Sequence, residues 1–234
     1  MKRIIKISLI LLLVGMAVIA AVPFFKEKRA ERKYENEFKK IQESVTEKKS
    51  DVNGLVKKNK DCIGYVEIQG TTISYPVMQT KDNPDFYLNH DFNRNYSFYG
   101  TPYLSAYCDV EKSDNLIIYG HNINGGKMFG ALEQYKDKEF FYKHRKIYFT
   151  TDKKREYAVF AVMSVNIHEF EYWKFVMARD EKEYDEFVDK VEEHSLWRQG
   201  NKPKYGEQML MLSTCDNGKG DDWRIVLIAK CVYS

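Results

Sequence analysis

Residues 210–232, LMLSTCDNGKGDDWRIVLIAKCV, constrain the fold of this chain most. Two apolar runs rich in Leu, Met, Ile and Val flank the polar loop DNGKGDD, whose residues tolerate turns and positive φ. The pattern predicts a β-hairpin in which Cys215 closes the first strand and Arg224 opens the second. A thiol then faces a guanidinium across the hairpin mouth, a nucleophile beside a permanent cation.

The segments upstream predict what this hairpin packs into. CIGYVEI (62–68) and TTISYPV (71–77) flank Gln69-Gly70, a hairpin signal. PDFYLNHDFN (84–93) and PYLSAY (102–107) follow, then NLIIYGH (115–121), a short buried strand that stops at Gly120-His121. NINGGKM is a loop, and FGALEQY begins a short helix. KIYFTT and EYAVFAVMSVNI pair around the charged turn DKKR. Residues 181–197 read as a helix with Tyr184, Phe187, Val188 and Val191 on one face. Many short strands with two helical insertions predict a mainly β fold, a closed or nearly closed barrel with appended helices. The 17 Tyr and 14 Phe supply a large core.

The N-terminus predicts a different environment. Ile7 to Phe25 are uncharged and mostly apolar. About 19 helical residues span roughly 28 Å, close to a bilayer core. Lys2, Arg3 and Lys6 precede the run, which favours a cytoplasmic N-terminus, although Lys26, Lys28 and Arg29 make the other flank basic too. A cleaved signal peptide is the alternative, but the run is long and lacks a clean A-x-A site. The expectation is a single-span anchor at 7–25 after a short cytoplasmic tail (1–6), contact with the lipid bilayer, and a catalytic domain outside the cell. Residues 26–60 are strongly charged, with Tyr34, Phe38, Ile41, Val45, Val52 and Val56 at helical intervals. They read as a helical linker, broken near Asn53-Gly54, that packs on a domain of residues 61–234.

Several function classes are excluded. The formal net charge of +3 is slight, and both signs interleave, so no nucleic-acid-binding stripe exists. There is no phosphate loop, no dinucleotide fingerprint, no H-E-x-x-H and no C-x-x-C. Asp216, Asp221 and Asp222 do not fit an EF-hand and read as a solvated loop. Neither a metal nor a cofactor is expected. Cys62, Cys108 and Cys231 read as small buried side chains, whereas a loop directly follows Cys215.

The chemistry needs a proton carrier. His144 and His194 sit in charged, solvated surroundings, and His90 and His168 lie in loops or strand ends. His121 ends an apolar strand before a glycine-containing loop, where a barrel places a site at its rim. A thiol with a pKa near ~8.5 is only a few per cent thiolate at neutral pH, yet that fraction is strongly nucleophilic. Arg224 stays protonated and can hold an oxyanion; His121 can protonate a leaving amine and later accept a proton. Together they describe acyl transfer through a thioester. Asp216, beside the thiol, is a candidate substrate contact, and Trp223 can wall the cleft or simply pack.

These residues resemble a known family. YGHN (119–122) after an apolar strand, LSTCD (212–216), and WR (223–224) before a final apolar strand resemble the sortases, whose signature is TLxTC followed by Arg. Met211 stands where Thr is usual. The N-terminal helical segment, MFGAL after YGHN, and a long helix before the Cys strand are most similar to class B sortases. The resemblance implies an eight-stranded sortase barrel. It implies that Cys215 is the nucleophile, His121 the acid/base and Arg224 the oxyanion or substrate clamp. Ser213, Thr214 and Asp216 would line the peptide groove, and Asn89 would contact the motif. The helix at 181–197, with the loop before it, lies where the family's specificity loop lies. Implied partners are surface proteins bearing a sorting motif, of NPxT type in many class B members, and a peptidoglycan peptide amine. Two other readings stay open: a cysteine hydrolase with the same Cys–His–Arg site, and an anchored, non-enzymatic binding protein.

Overall fold

The computed structural model describes residues 52–233, together with some positions between 6 and 39. The chain divides into Met1–Lys49 and Ser50–Ser234, and the second unit carries every strand among the described residues. Its strands are β1 (Cys62–Ile68), β2 (Ser74–Met78), β3 (Tyr103–Leu104), β4 (Asn115–Tyr119), β5 (Asn122–Ile123), β6 (Lys127–Met128), β7 (Lys146–Thr150), β8 (Lys154–Asn166), β9 (Ser195–Arg198), β10 (Met209–Cys215) and β11 (Trp223–Tyr233). Eight of them pair in the order β11-β10-β4-β3-β2-β1-β7-β8, and β8 pairs back onto β11. The result is the closed, mixed eight-stranded barrel. β9 is an extra strand on β8, and β5–β6 form a separate small hairpin.

The burial pattern explains the parallel pair at the centre. β4 (NLIIY) and β10 (MLMLSTC) are almost continuously buried, as parallel strands covered on both faces are. β8 solves closure with length. It pairs with β7 through its first residues, with β9 further on, and with β11 along most of its other edge.

Three helices decorate the barrel. α1 (Val52–Lys58) buries Val52 and Leu55 and packs on β1. It runs through Asn53-Gly54, where the sequence suggested a break, because burial of Leu55 outweighs the weak helix propensity of one glycine. Val56, expected on the buried stripe, points outward. α2 (Lys138–Lys143) is capped by Asp137, whose side chain accepts from Phe140 N at 2.8 Å. α3 (Glu181–Glu193) is capped by Asp180, which accepts from Glu183 N at 2.9 Å, and it buries Tyr184, Phe187, Val188 and Val191. It ends four residues earlier than the periodicity suggests. Ser195 Oγ donates to Val191 O, and the chain turns into β9 to pair with β8.

Other expectations are corrected. No helix among the described residues is long and apolar enough to cross a membrane. That overturns the single-pass anchor, and with it the bilayer contact and the localisation drawn from it. Several positions of 7–25, and Tyr34, Phe38, Ile41 and Val45, lie outside the described residues. The 84–93 run contains a single 3-10 turn, Phe86–Leu88. Asp91 Oδ1 accepts from Asn93 N and Asn95 N at 2.9 and 2.8 Å, a local alternative to strand pairing. His144 and His194 are not free in solvent. Each hydrogen-bonds a carbonyl four residues back and lies against a phenylalanine ring.

Candidate active site

The terminal hairpin sets Cys215 directly opposite Arg224. Parallel pairing of β4 with β10 carries the YGHN segment alongside it. Hydrogen bonds continue that register beyond the strand ends. Gly120 N donates to Ser213 O at 3.1 Å, Thr214 Oγ1 to Gly120 O at 2.7 Å, and Asn122 Nδ2 to Cys215 O at 2.8 Å. His121 therefore sits on a backbone stitched to the peptide that carries the thiol.

His121 is held from a third direction. Its Nε2 lies 2.8 Å from Leu88 O. A carbonyl only accepts, so Nε2 carries the hydrogen and Nδ1 is the nitrogen left to exchange a proton. Phe98, itself 71% exposed, stacks on the imidazole with its ring 6.4 Å away and nearly parallel. Arg224 Nη1 donates to Asp221 O at 2.5 Å and Trp223 O at 3.0 Å, so the loop's own carbonyls aim the guanidinium. Trp223 packs under Lys219, whose ammonium lies 4.1 Å from the ring centroid.

Cys62, Cys108 and Cys215 are free thiols in different environments. Cys62 and Cys108 are buried, and burial pushes the Cys62 thiol up to about 12 and raises that of Cys108. Both are inert as nucleophiles at neutral pH. Cys215 is half-buried at the loop mouth.

Three tyrosines wall the site. Tyr103 and Tyr119 pack with rings 5.5 Å apart, and Tyr103 OH donates to Asp85 Oδ1 at 3.1 Å. Tyr172 shares a hydrogen bond of 2.7 Å with Ser213 Oγ. Burial raises all three phenols, Tyr172 to about 12, so each is a neutral O–H at pH 7. The charge of Arg224 opposes the rise at Tyr119 and Tyr172, and Cys215 adds to it at Tyr103 and Tyr172, so these phenols share the electrostatic environment of the reactive pair. Tyr103 and Tyr119 also line a cavity of about 650 Å³ with Asp85, Tyr107, Trp173 and Val176. A cavity of about 680 Å³ around Arg145, Phe160 and Lys230 is lined by no cysteine, serine or threonine.

The residues expected to line a peptide groove separate into two groups. Asn89 is exposed, next to the Leu88 carbonyl that holds His121. Ser213, Thr214 and Asp216 are buried, and their polar atoms are taken within the domain. Asp216 is fully buried. Oδ1 accepts from Lys136 Nζ at 2.6 Å and Gly218 N at 3.2 Å, and Oδ2 from Ser164 Oγ at 2.6 Å. Burial would push its carboxyl up, but those donors, led by Lys136, hold it below the ordinary carboxylate range. Tyr172, Glu133 and Lys136 escaped the sequence reading, and Asn122 entered it only as the last residue of YGHN. They lie far from Cys215 along the chain, and only the pairing of β4, β8 and β10 assembles them.

Comparison with known proteins agrees with this architecture. A family model described as "Sortase domain" matches residues 66–232. Sortase B of Staphylococcus aureus is 28% identical over 99% of this chain and 98% of its own length. Sortase B of Listeria monocytogenes is 31% identical over 80% of this chain and 76% of its own. The solved Staphylococcus aureus sortase B–substrate complex superposes with a TM-score of 0.77 at 26% identity, covering 89% of this chain and 99% of that one. A closed barrel, a thiol and a guanidinium in cross-strand register, and matches along most of the chain lead to one assignment: the chain belongs to the sortase family, as a sortase B-type cysteine transpeptidase.

Proposed function

We propose that this protein cleaves a C-terminal sorting motif of secreted proteins after its Thr, holds the acyl group on Cys215, and transfers it to a peptidoglycan amine. The observation that carries this reading is the register of the terminal hairpin, with Cys215 opposite Arg224. Cys215 Sγ attacks the Thr carbonyl carbon as the thiolate. The C–S bond forms while the carbonyl π pair moves onto oxygen, where Arg224 meets the developing charge. Protonated His121 passes its proton to the leaving amine as the C–N bond breaks. The acceptor amine then attacks the thioester and gives up its proton to His121; the C–S bond breaks and the thiolate returns.

The cavity beside Tyr103 and Tyr119 is the proposed seat of the motif, with Asn89 at its approach. A substrate complex of the Staphylococcus aureus relative supports a peptide occupant. The test is to incubate the protein with sorting-motif peptides, the NPxT type among them, and identify the Cys215 adduct by mass with and without an added amine. Expected are a thioester of the N-terminal fragment and a second product that needs the amine. A product that forms only with water would favour the hydrolase reading. No adduct with any peptide would overturn the proposal.

A further inference from the structure

Behind Cys215 lies a closed ring of polar contacts that the transfer chemistry does not itself require. Asn122 Nδ2 donates both to Cys215 O and to Glu133 Oε1, each at 2.8 Å. Glu133 Oε2 lies 2.7 Å from Lys136 Nζ, and Lys136 Nζ lies 2.6 Å from Asp216 Oδ1. The Cys215–Asp216 peptide bond completes the circuit. The ring thus joins the residue after His121, the residue after Cys215, and the 3-10 helix Gly130–Lys136. Ser164 on β8 anchors it to the barrel wall, and Trp197 on β9 donates to Lys136 O at 2.9 Å.

We infer that Lys136 is a positioning residue, whose ammonium joins Glu133 to Asp216 and so keeps Cys215 and His121 in working register. The inference rests on Cys215 as the nucleophile, but not on the identity of the peptide or the amine. Lys136 is the one cation in the ring, set between two carboxylates. Burial would lower its affinity for a proton, yet the two acids together raise it, so it stays charged throughout the neutral range. Removing the ammonium leaves two carboxylates near the peptide of Cys215, one of them fully buried. Repulsion would then spread the two segments and disfavour the thiolate. The other charged or titratable groups around the thiol are Arg224 on β11, His121 after β4, Tyr103 on β3, Tyr119 on β4, Tyr172, and Asp85 behind Tyr103.

The test reads the thiol before it reads turnover. In the full chain, the rate of Cys215 alkylation by iodoacetamide is followed against pH by peptide mass, for wild type and for Lys136→Gln, Lys136→Arg and Glu133→Gln. Lys136→Gln is expected to raise the alkylation midpoint by about half a pH unit or more, and Glu133→Gln to lower it. Lys136→Arg is expected to stay near wild type. In acyl transfer, Lys136→Gln is expected to lose about tenfold in kcat with little change in KM. A merely structural lysine would not give midpoint shifts of opposite sign. Folded variants whose midpoints coincide with wild type overturn the inference. If Lys136→Gln fails to fold, Glu133→Gln decides, and an unmoved midpoint there overturns it equally. Wild-type protein that transfers no peptide defeats the proposed function, yet leaves the alkylation comparison able to judge Lys136.

Discussion

Cys215 and Arg224 differ from the other residues of their types by position more than by intrinsic chemistry. Cys62 and Cys108 carry the same thiol, but burial keeps them protonated, so mass-resolved alkylation of the native protein at pH 8 is expected to modify Cys215 long before either. Equal modification of all three would mean that the barrel opens readily. The Arg224 guanidinium is a planar fork that its own loop carbonyls aim. Arg224→Lys keeps the charge and loses the fork; kcat is expected to fall by about 10²–10³, and near-normal turnover would argue against an oxyanion clamp. Asp216 links the site to pH. Its folded pKa lies below the unfolded value of about 3.9, so its contribution is full above that value and is lost as pH falls through the folded one. Asp216→Asn should therefore weaken urea resistance at pH 7 and flatten the loss of stability between about pH 5 and pH 2. At this scale the placement of Cys215 opposite Arg224 was legible, because each sits at the end of an apolar run, as His121 does. The role of Asp216 was not. Adjacency to a thiol suggested substrate contact, and only Lys136 and Ser164, distant in the chain, reveal the carboxylate as an internal strut.

The hairpin β10–β11 and the small hairpin β5–β6 are the elements that bring chemistry together. β5–β6 holds Asn122 against the site, and it lies tightly on the start of the 3-10 helix. A side chain at Gly130 would collide with the backbone of Ile123. Gly130→Ala is thus expected to cost about 1–3 kcal/mol in denaturant unfolding and to lower kcat, because the displaced strand carries Asn122. Retained turnover in a destabilised protein would separate the two effects. Asp180→Ala, at the start of α3, should cost about 1 kcal/mol and leave kcat unchanged. Element types were largely readable from periodicity. Ends were not, because they depend on pairing. α3 stops at Glu193 since β9 finds a partner on β8, and the 84–93 run turns because Asp91 binds its own backbone.

The second unit, Ser50–Ser234, is a barrel whose first and last long strands do not meet; closure runs through β8 and β11. Short apolar runs suggested a closed or nearly closed sheet, but neither the parallel pairing of β4 with β10 nor the doubled partnership of β8 is written in any local pattern. A protein that handles extended peptide tails meets a hazard that most enzymes do not. Any open sheet edge could recruit the client as an extra strand, and clients could then recruit one another. Closing the main sheet on itself covers the long edges of β8 and β11 with each other. The same ring that frames the thiol thereby guards the solubility of whatever passes across it.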